Sequence, residues 1–424
     1  MSRRVQHLAS VMALALACML TTAGCGGGDG PADAEVDAPS DGGVEAGREI
    51  PPDRGPWVIR VTPTTAVVRW ESAIEPASVS LRLTSEADGS TLSFAGTSRA
   101  DDITLRHELR ALDLPDLPGV YHLAEVPIEG LSPATCYTYD RDDDPTMTGR
   151  FCTAREPTDH AAPLIVGALG DTSPIFGHTQ RVVEQLVARD PELIIHAGDL
   201  QYYTTIFESW RYWFQEMQPL LGAGPMYPCI GNHEEELPGE FEATYGRYWD
   251  PAGTDGTTSA YHYESAGVHF FSVNSESDIG EYDPAFTWLE ARLSEVELEP
   301  GFRFSIVYFH RPIYTLGGHA PSLGLRAILQ PIVEAHRVPL VLQGHNHAYE
   351  RFEVNGVTYL VIGNGGAGGY DVDANVMNFP DEVPLRLASG TFHGGALFTI
   401  ETTRLVAEIF DEDGGPQDSF ELTF

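Results

Sequence analysis

From Ala162 onward the chain alternates short apolar runs with stretches of helical spacing, and this rhythm restricts the fold more than any other feature. Leu164–Leu169, Leu193–Ile195, Pro228–Ile230, Val268–Val273, Phe304–Phe309 and Leu340–Leu342 show almost no polar alternation. Runs of that kind are strands buried on both faces. Between them, residues 179–188, 206–217, 285–293 and 323–335 place apolar side chains at helical intervals. Strand–helix alternation gives α/β layers. After Tyr349 short strands and turns return, ending in 396–400, 405–409 and 420–423.

The preceding segment has a different rhythm. From Trp57 to about Ala154 short alternating strands such as Ala66–Trp70, Val79–Leu83 and Tyr121–Glu125 are separated by turns, which argues a small all-β sandwich. Cys136 and Cys152 lie symmetrically about Asp144, the middle of a polar turn. A hairpin there brings the two Cys face to face, so a disulfide is expected in an oxidising compartment. Cys229 sits in an apolar run and reads as a buried thiol.

Residues 1–24 read as an address. Arg3 and Arg4 precede the apolar run Val11–Leu20, which is too short to span a bilayer, and Thr22-Ala23-Gly24-Cys25 resembles a bacterial lipoprotein box. Residues 25–52 are acidic and Gly-rich and read as a flexible tether. The expectation is an exported chain, lipid-anchored through Cys25 to a bacterial membrane in the periplasm or at the cell surface, or else simply secreted. Formal net charge is −37, and all 25 basic residues are Arg. No basic cluster follows Arg4, which excludes nucleic acid as a bulk partner. A small anion can bind such a chain only where something local, such as a metal ion, supplies positive charge. The sequence carries no information on oligomeric state.

The chemistry-bearing residues follow the apolar runs. Leu164–Leu169 leads to Gly170-Asp171, and Leu193–His196 to Gly198-Asp199-Leu-Gln-Tyr202. Met226–Ile230 leads to Gly231-Asn232-His233-Glu234, Phe304–Phe309 to His310, and Leu340–Leu342 to Gly344-His345-Asn346-His347. Five strands thus deliver oxygen and imidazole ligands to their carboxyl ends, the edge where open α/β sheets place their sites.

These five blocks resemble the calcineurin-like metallophosphoesterases and, among them, the purple acid phosphatases. Four blocks match the family pattern fully; the first has Ser173 where a Gly is usual. The resemblance implies an α/β (α+β layered) metallophosphoesterase sandwich over residues 160–424, preceded by a fibronectin type III-like all-β domain over 53–156. It implies one metal on Asp171, Asp199, Tyr202 and His347 and a second on Asp199, Asn232, His310 and His345, with Asp199 bridging. Tyr202 as a phenolate implies Fe(III) at the first site; Zn, Mn or Fe(II) suits the second. The implied activity is that of an acid phosphatase, hydrolysing small phosphate esters by a metal-activated hydroxide, with His233 and His319 as catalytic residues and Glu234 orienting His233.

Two other readings stay open: a phosphodiesterase acting on nucleotides or lipid headgroups, and an inactive surface binding module. Substrate choice is expected from loops 204–210, 237–258 and 371–384. The Gly363–Gly368 run fits G-x-G-x-x-G, yet no βαβ unit surrounds it, so it reads as a loop near the site. His262, His269 and His393 read as structural, and the 234–236 Glu run as a solvated loop.

Overall fold

The computed structural model describes residues 53–103, 119–174, 176–202, 206–235, 240–250, 252–258, 260–276 and 284–424. The export signal, Cys25 and the tether lie outside the described residues.

Among the described residues, the N-terminal β region has eight strands in two four-stranded sheets. Alternating residues (Val58, Val68, Trp70, Leu81, Leu83, Val126 and Phe151) meet between the sheets as one core. Cys136 and Cys152 are directly paired across antiparallel strands and form the expected disulfide. The Tyr137 hydroxyl accepts the Ser132 N–H at 3.0 Å, tying the strand back to the turn before it.

Two larger sheets follow. One has the order Met226–Pro228, Leu193–His196, Leu164–Leu169, Gly394–Ile400, Arg404–Asp411, Pro416–Thr423. Its first three strands are parallel and its last three antiparallel. The other is eight-stranded, with Val268–Val273, Phe304–Tyr308, Leu340–Gln343 and Val357–Ile362 parallel at its centre and antiparallel strands at both edges. The unalternating sequence of the central strands is now explained. Phe270, Phe304, Ile306 and Tyr308 face one core, whereas Phe271, Val273 and Val307 face another. The second core is closed by helices Pro284–Val296 and Leu323–Ala335 through Leu289, Leu293, Leu325 and Leu329. Helices His178–Val187 and Ile206–Leu221 contribute Val182, Val183, Leu186 and Trp213 to the first. The architecture is the layered α/β sandwich expected.

The first core also takes in Trp57, Ile59, Val67, Tyr121 and Leu123 from the N-terminal β region. Segment 240–250, expected to shape substrate choice, supplies much of this contact. Tyr245, Tyr248 and Trp249 are fully buried, Arg69 donates to the Tyr248 carbonyl at 2.9 Å, and the Arg247 Nε lies 2.7 Å from Asp101. Buried Glu71 pairs with both Arg54 and Arg247.

Candidate metal centre

Because the central strands are parallel, their carboxyl ends share one edge, and the turns that follow converge there. The turns are unusually tight. Asp171, Asp199 and His345 all adopt left-handed backbone, with φ of 55°, 52° and 68°. A non-Gly residue at such φ is held against an intrinsic cost, which is common at functional sites. Gly231 permits the closest approach, since a Cβ there would lie 2.2 Å from the Asp199 Oδ1.

Four side chains meet around the Tyr202 hydroxyl. It lies 3.0 Å from Asp171 Oδ1, 3.2 Å from Asp199 Oδ2 and 2.9 Å from His347 Nε2. His347 donates its Nδ1–H to the Gly368 carbonyl at 2.7 Å, leaving Nε2 as a bare lone pair aimed at the cluster. One phenolic proton cannot serve three acceptors, so the set is short of positive charge.

A second group adjoins it. Oxygen and nitrogen atoms of Asp199, His310 and His345 come close enough to share one cation, and all three residues are buried. His310 gives its Nδ1–H to the Ala197 carbonyl at 2.9 Å, so its Nε2 lone pair faces Asp199 Oδ2 at 3.0 Å. Two acceptors at that distance need a proton or a metal between them. The Oδ1 of Asn232 is buried with no hydrogen-bond partner among the described residues. The seven residues expected to be ligands are therefore together at this edge, and their N and O donors fit borderline or hard cations.

The electrostatics of the protein without metal carry the same message. Burial pushes the Asp171 carboxyl up to about 7. Burial also opposes charge on Asp199, but His310 and His233 outweigh it and hold that carboxyl well below its ordinary value. His310 resists charging through burial, yet Asp199 and Asp171 raise it to about 10, so a proton there stands in for a cation. Burial depresses His347 to about 3 and lifts the Tyr202 phenol well above its ordinary value.

His233 follows Asn232, its ring 4.3 Å from that of Tyr202 and its Nε2 3.8 Å from Asp199 Oδ2. The ring of His319 stacks on that of His345 at 4.2 Å. Asn346 fixes this loop, accepting the His319 N–H at 2.7 Å and donating to its carbonyl at 3.0 Å. One expectation is corrected here. Glu234 is fully buried rather than solvated. Its carboxylate instead accepts the backbone N–H groups of Asp199, Leu200 and Gly231 at 2.7–3.0 Å, bracing the Asp199 turn. Glu235 is exposed and Glu236 lies outside the described residues. The Gly363–Gly368 loop packs on the site as expected, with Gly365 and Ala367 donating to the Gly170 and Asp171 carbonyls. His262 and His269 bond each other at 2.9 Å, and His393 stacks on His178.

Several neighbours carried no signal of their own in the sequence. Arg311, held by Glu276 at 2.6 Å, brings a guanidinium nitrogen 3.4 Å from His345 Nε2. The ring of Tyr370 stacks on that of His347 at 4.1 Å. Thr172, Trp213 and His196 form a buried cluster beneath Asp171.

With fold and cluster in place, residues 164–349 match the family model described as calcineurin-like phosphoesterase. Beyond that match, the chain is similar to purple acid phosphatases. It is 28% identical over 293 residues to purple acid phosphatase 23 of Arabidopsis thaliana, covering 58% of this chain and 63% of that protein. Purple acid phosphatase 18 of the same plant is 31% identical over 218 residues, covering 48% of this chain and 49% of the relative. The chain thus spans less than two thirds of the length of these curated relatives. In fold it is similar to purple acid phosphatase PPD1 from yellow lupin (Lupinus luteus) seeds. The TM-score is 0.70 at 19% identity, over 88% of this chain and 74% of that one.

Proposed function

We propose that this protein is a binuclear-metal hydrolase of small phosphate esters, an acid phosphatase of the purple acid phosphatase type. The observation that carries the reading is the convergence of Tyr202, Asp171, Asp199 and His347 on one point beside a second group of Asp199, His310 and His345. Asp171, Asp199, Tyr202 and His347 would hold one cation, and Asp199, Asn232, His310 and His345 the other. A buried phenol whose proton is hard to remove calls for a strong Lewis acid, which favours Fe(III) beside Tyr202. Zn, Mn or Fe(II) fits the second donor set. Two such cations polarise phosphoryl oxygens and acidify water, the chemistry a phosphate ester needs for hydrolysis.

The side chains do the rest. His347 and His310 are held by carbonyls in the tautomer that presents Nε2. Glu234 keeps the Asp199 turn in its left-handed form. His233, buried against the Tyr202 ring, and half-buried His319, stacked on His345, would hold a phosphoryl oxygen or pass a proton to the departing alkoxide. Export, with a lipid on Cys25 as the anchor, is part of the same reading; a Cys25→Ser variant is expected to leave the membrane fraction.

The test is a visible spectrum and metal analysis of the purified protein, together with hydrolysis of chromogenic mono- and diesters. Expected are two metals per chain including iron, a band lost in Tyr202→Phe, and faster monoester turnover. Diester preference would move the protein to the phosphodiesterase reading. A metal-loaded protein without turnover would leave a binding module.

A further inference from the structure

The two turns that carry Asp171 and Asp199 are joined by one hydroxyl. Thr172, fully buried, donates to the Leu200 carbonyl at 2.6 Å. It accepts the Trp213 indole N–H at 2.9 Å and the His196 Nε2–H at 3.0 Å. A hydroxyl has one donor and two acceptor positions, so its capacity is full. The backbone repeats the tie: Asp171 and Thr172 donate to the Gly198 and Asp199 carbonyls, both at 3.0 Å. Since both Asp residues sit at left-handed φ, these bonds join that of Glu234 in holding the turns against relaxation.

Trp213 is itself seated by aromatic packing. Its ring lies edge-on to Phe214 at 5.0 Å and to Trp249 at 6.4 Å. Trp57, from N-terminal strand Asp53–Ile59, packs on the same two rings at 5.1 and 5.9 Å. A continuous run of contacts therefore leads from the N-terminal β region to the residue beside Asp171.

We propose that Trp213 is a positioning residue for the two ligand turns, acting through Thr172, and that the N-terminal β region seats it through Trp57. The inference rests on the reading that Asp171 and Asp199 bind metal. It gives the N-terminal region a part in building the centre, with no contact to substrate. Trp213 touches no reacting group, so its removal is felt first in metal affinity, as for other groups that hydrogen-bond behind a ligand.

The experiment is calorimetric titration of the metal-free full-length protein with Zn²⁺, with thermal melts of each variant as a folding control. Trp213→Phe keeps an aromatic ring and loses the N–H; Thr172→Val keeps the shape and loses the hydroxyl; Thr172→Ser keeps the hydroxyl. Expected is a loss of affinity of about 10- to 100-fold for Trp213→Phe and Thr172→Val, with Thr172→Ser close to wild type. Trp57→Leu is expected to weaken binding in the same direction by less, with no further loss when combined with Trp213→Phe. Folded Trp213→Phe and Thr172→Val proteins that bind Zn²⁺ as wild type does would overturn the positioning role while leaving the metal reading intact. Trp57→Leu without effect beside a weakened Trp213→Phe would remove the N-terminal link. A wild-type chain that takes up no metal would overturn the functional reading and this inference together.

Discussion

Among the places where the described residues bury acids, two balance them differently. Where the N-terminal β region meets the α/β layers, Glu71 is fully buried between Arg54 and Arg247, and Arg69 holds half-buried Glu125. At the sheet edge, Asp171 and Asp199 are equally buried, but their neighbours are a phenol and imidazoles. The first cluster carries its own cations. The second leaves its acids dependent on protons or on ions taken from outside. The difference teaches that burial of charge is structural in one place and functional in the other, although the residue types overlap.

The comparison breaks most sharply on paired substitutions. Asp199→Asn is expected to abolish tight metal binding and lower turnover at least about a thousandfold, because both ligand groups lose a shared carboxylate; metal analysis with kinetics checks it. Glu71→Gln takes the shared carboxylate from Arg54 and Arg247, with Asp101 still on Arg247, and is expected to cost about 3 kcal/mol in a denaturant melt, with metal content unchanged. If Glu71→Gln stripped the metal while leaving stability intact, the division between the two clusters would be wrong.

Stability against pH sharpens it further. In the chelated protein Asp171 keeps its proton to about 7, Glu234, through burial and Asp199, to about 8, and His310 to about 10. The unfolded chain releases these protons near 3.8, 4.5 and 6.5. Above about 6.5, where the unfolded histidines have released their protons, the folded state binds more protons, so stability falls as pH rises from about 7 to about 10; below about 6.5, His196 and His347, each depressed by burial to about 3, act the other way. Asp199 acts oppositely, losing its contribution only as pH falls below the ordinary carboxylate range. Urea midpoints of metal-free protein at pH 7, 8 and 9 should therefore decrease, on the order of 3 kcal/mol for one group over about two pH units. Metal-loaded protein should lose this trend, because its ligands are already deprotonated. The smallest expected effect is that of His233→Ala: about a hundredfold in kcat, with KM and metal content little changed, the mark of a group that moves a proton.

Much of the site was legible because strand-end ligands announce themselves. Asp171, Asp199, Tyr202, Asn232, His310, His345 and His347 each follow an apolar run, and a parallel sheet necessarily brings such ends to one edge. The Cys136–Cys152 pair was legible for a related reason, since a hairpin fixes which residues face each other. Glu234 was misread because its partners are backbone N–H groups of a distant turn, which no spacing encodes. Within the loop 237–258, the burial of Tyr245, Tyr248 and Trp249 against another region was not legible, since no spacing encodes it.

The sequence by itself determined the layers, the order of the ligand groups and the balance of charge that makes a cation necessary. These follow from periodicity and residue chemistry, which are local properties of the chain. Tertiary structure alone decided that Thr172 joins the Asp171 and Asp199 turns, that Trp213 and Trp57 pack on the same two rings, and that Arg311 and Tyr370 stand beside His345 and His347. Such contacts join residues far apart in sequence, and their geometry exists only once both sheets have packed.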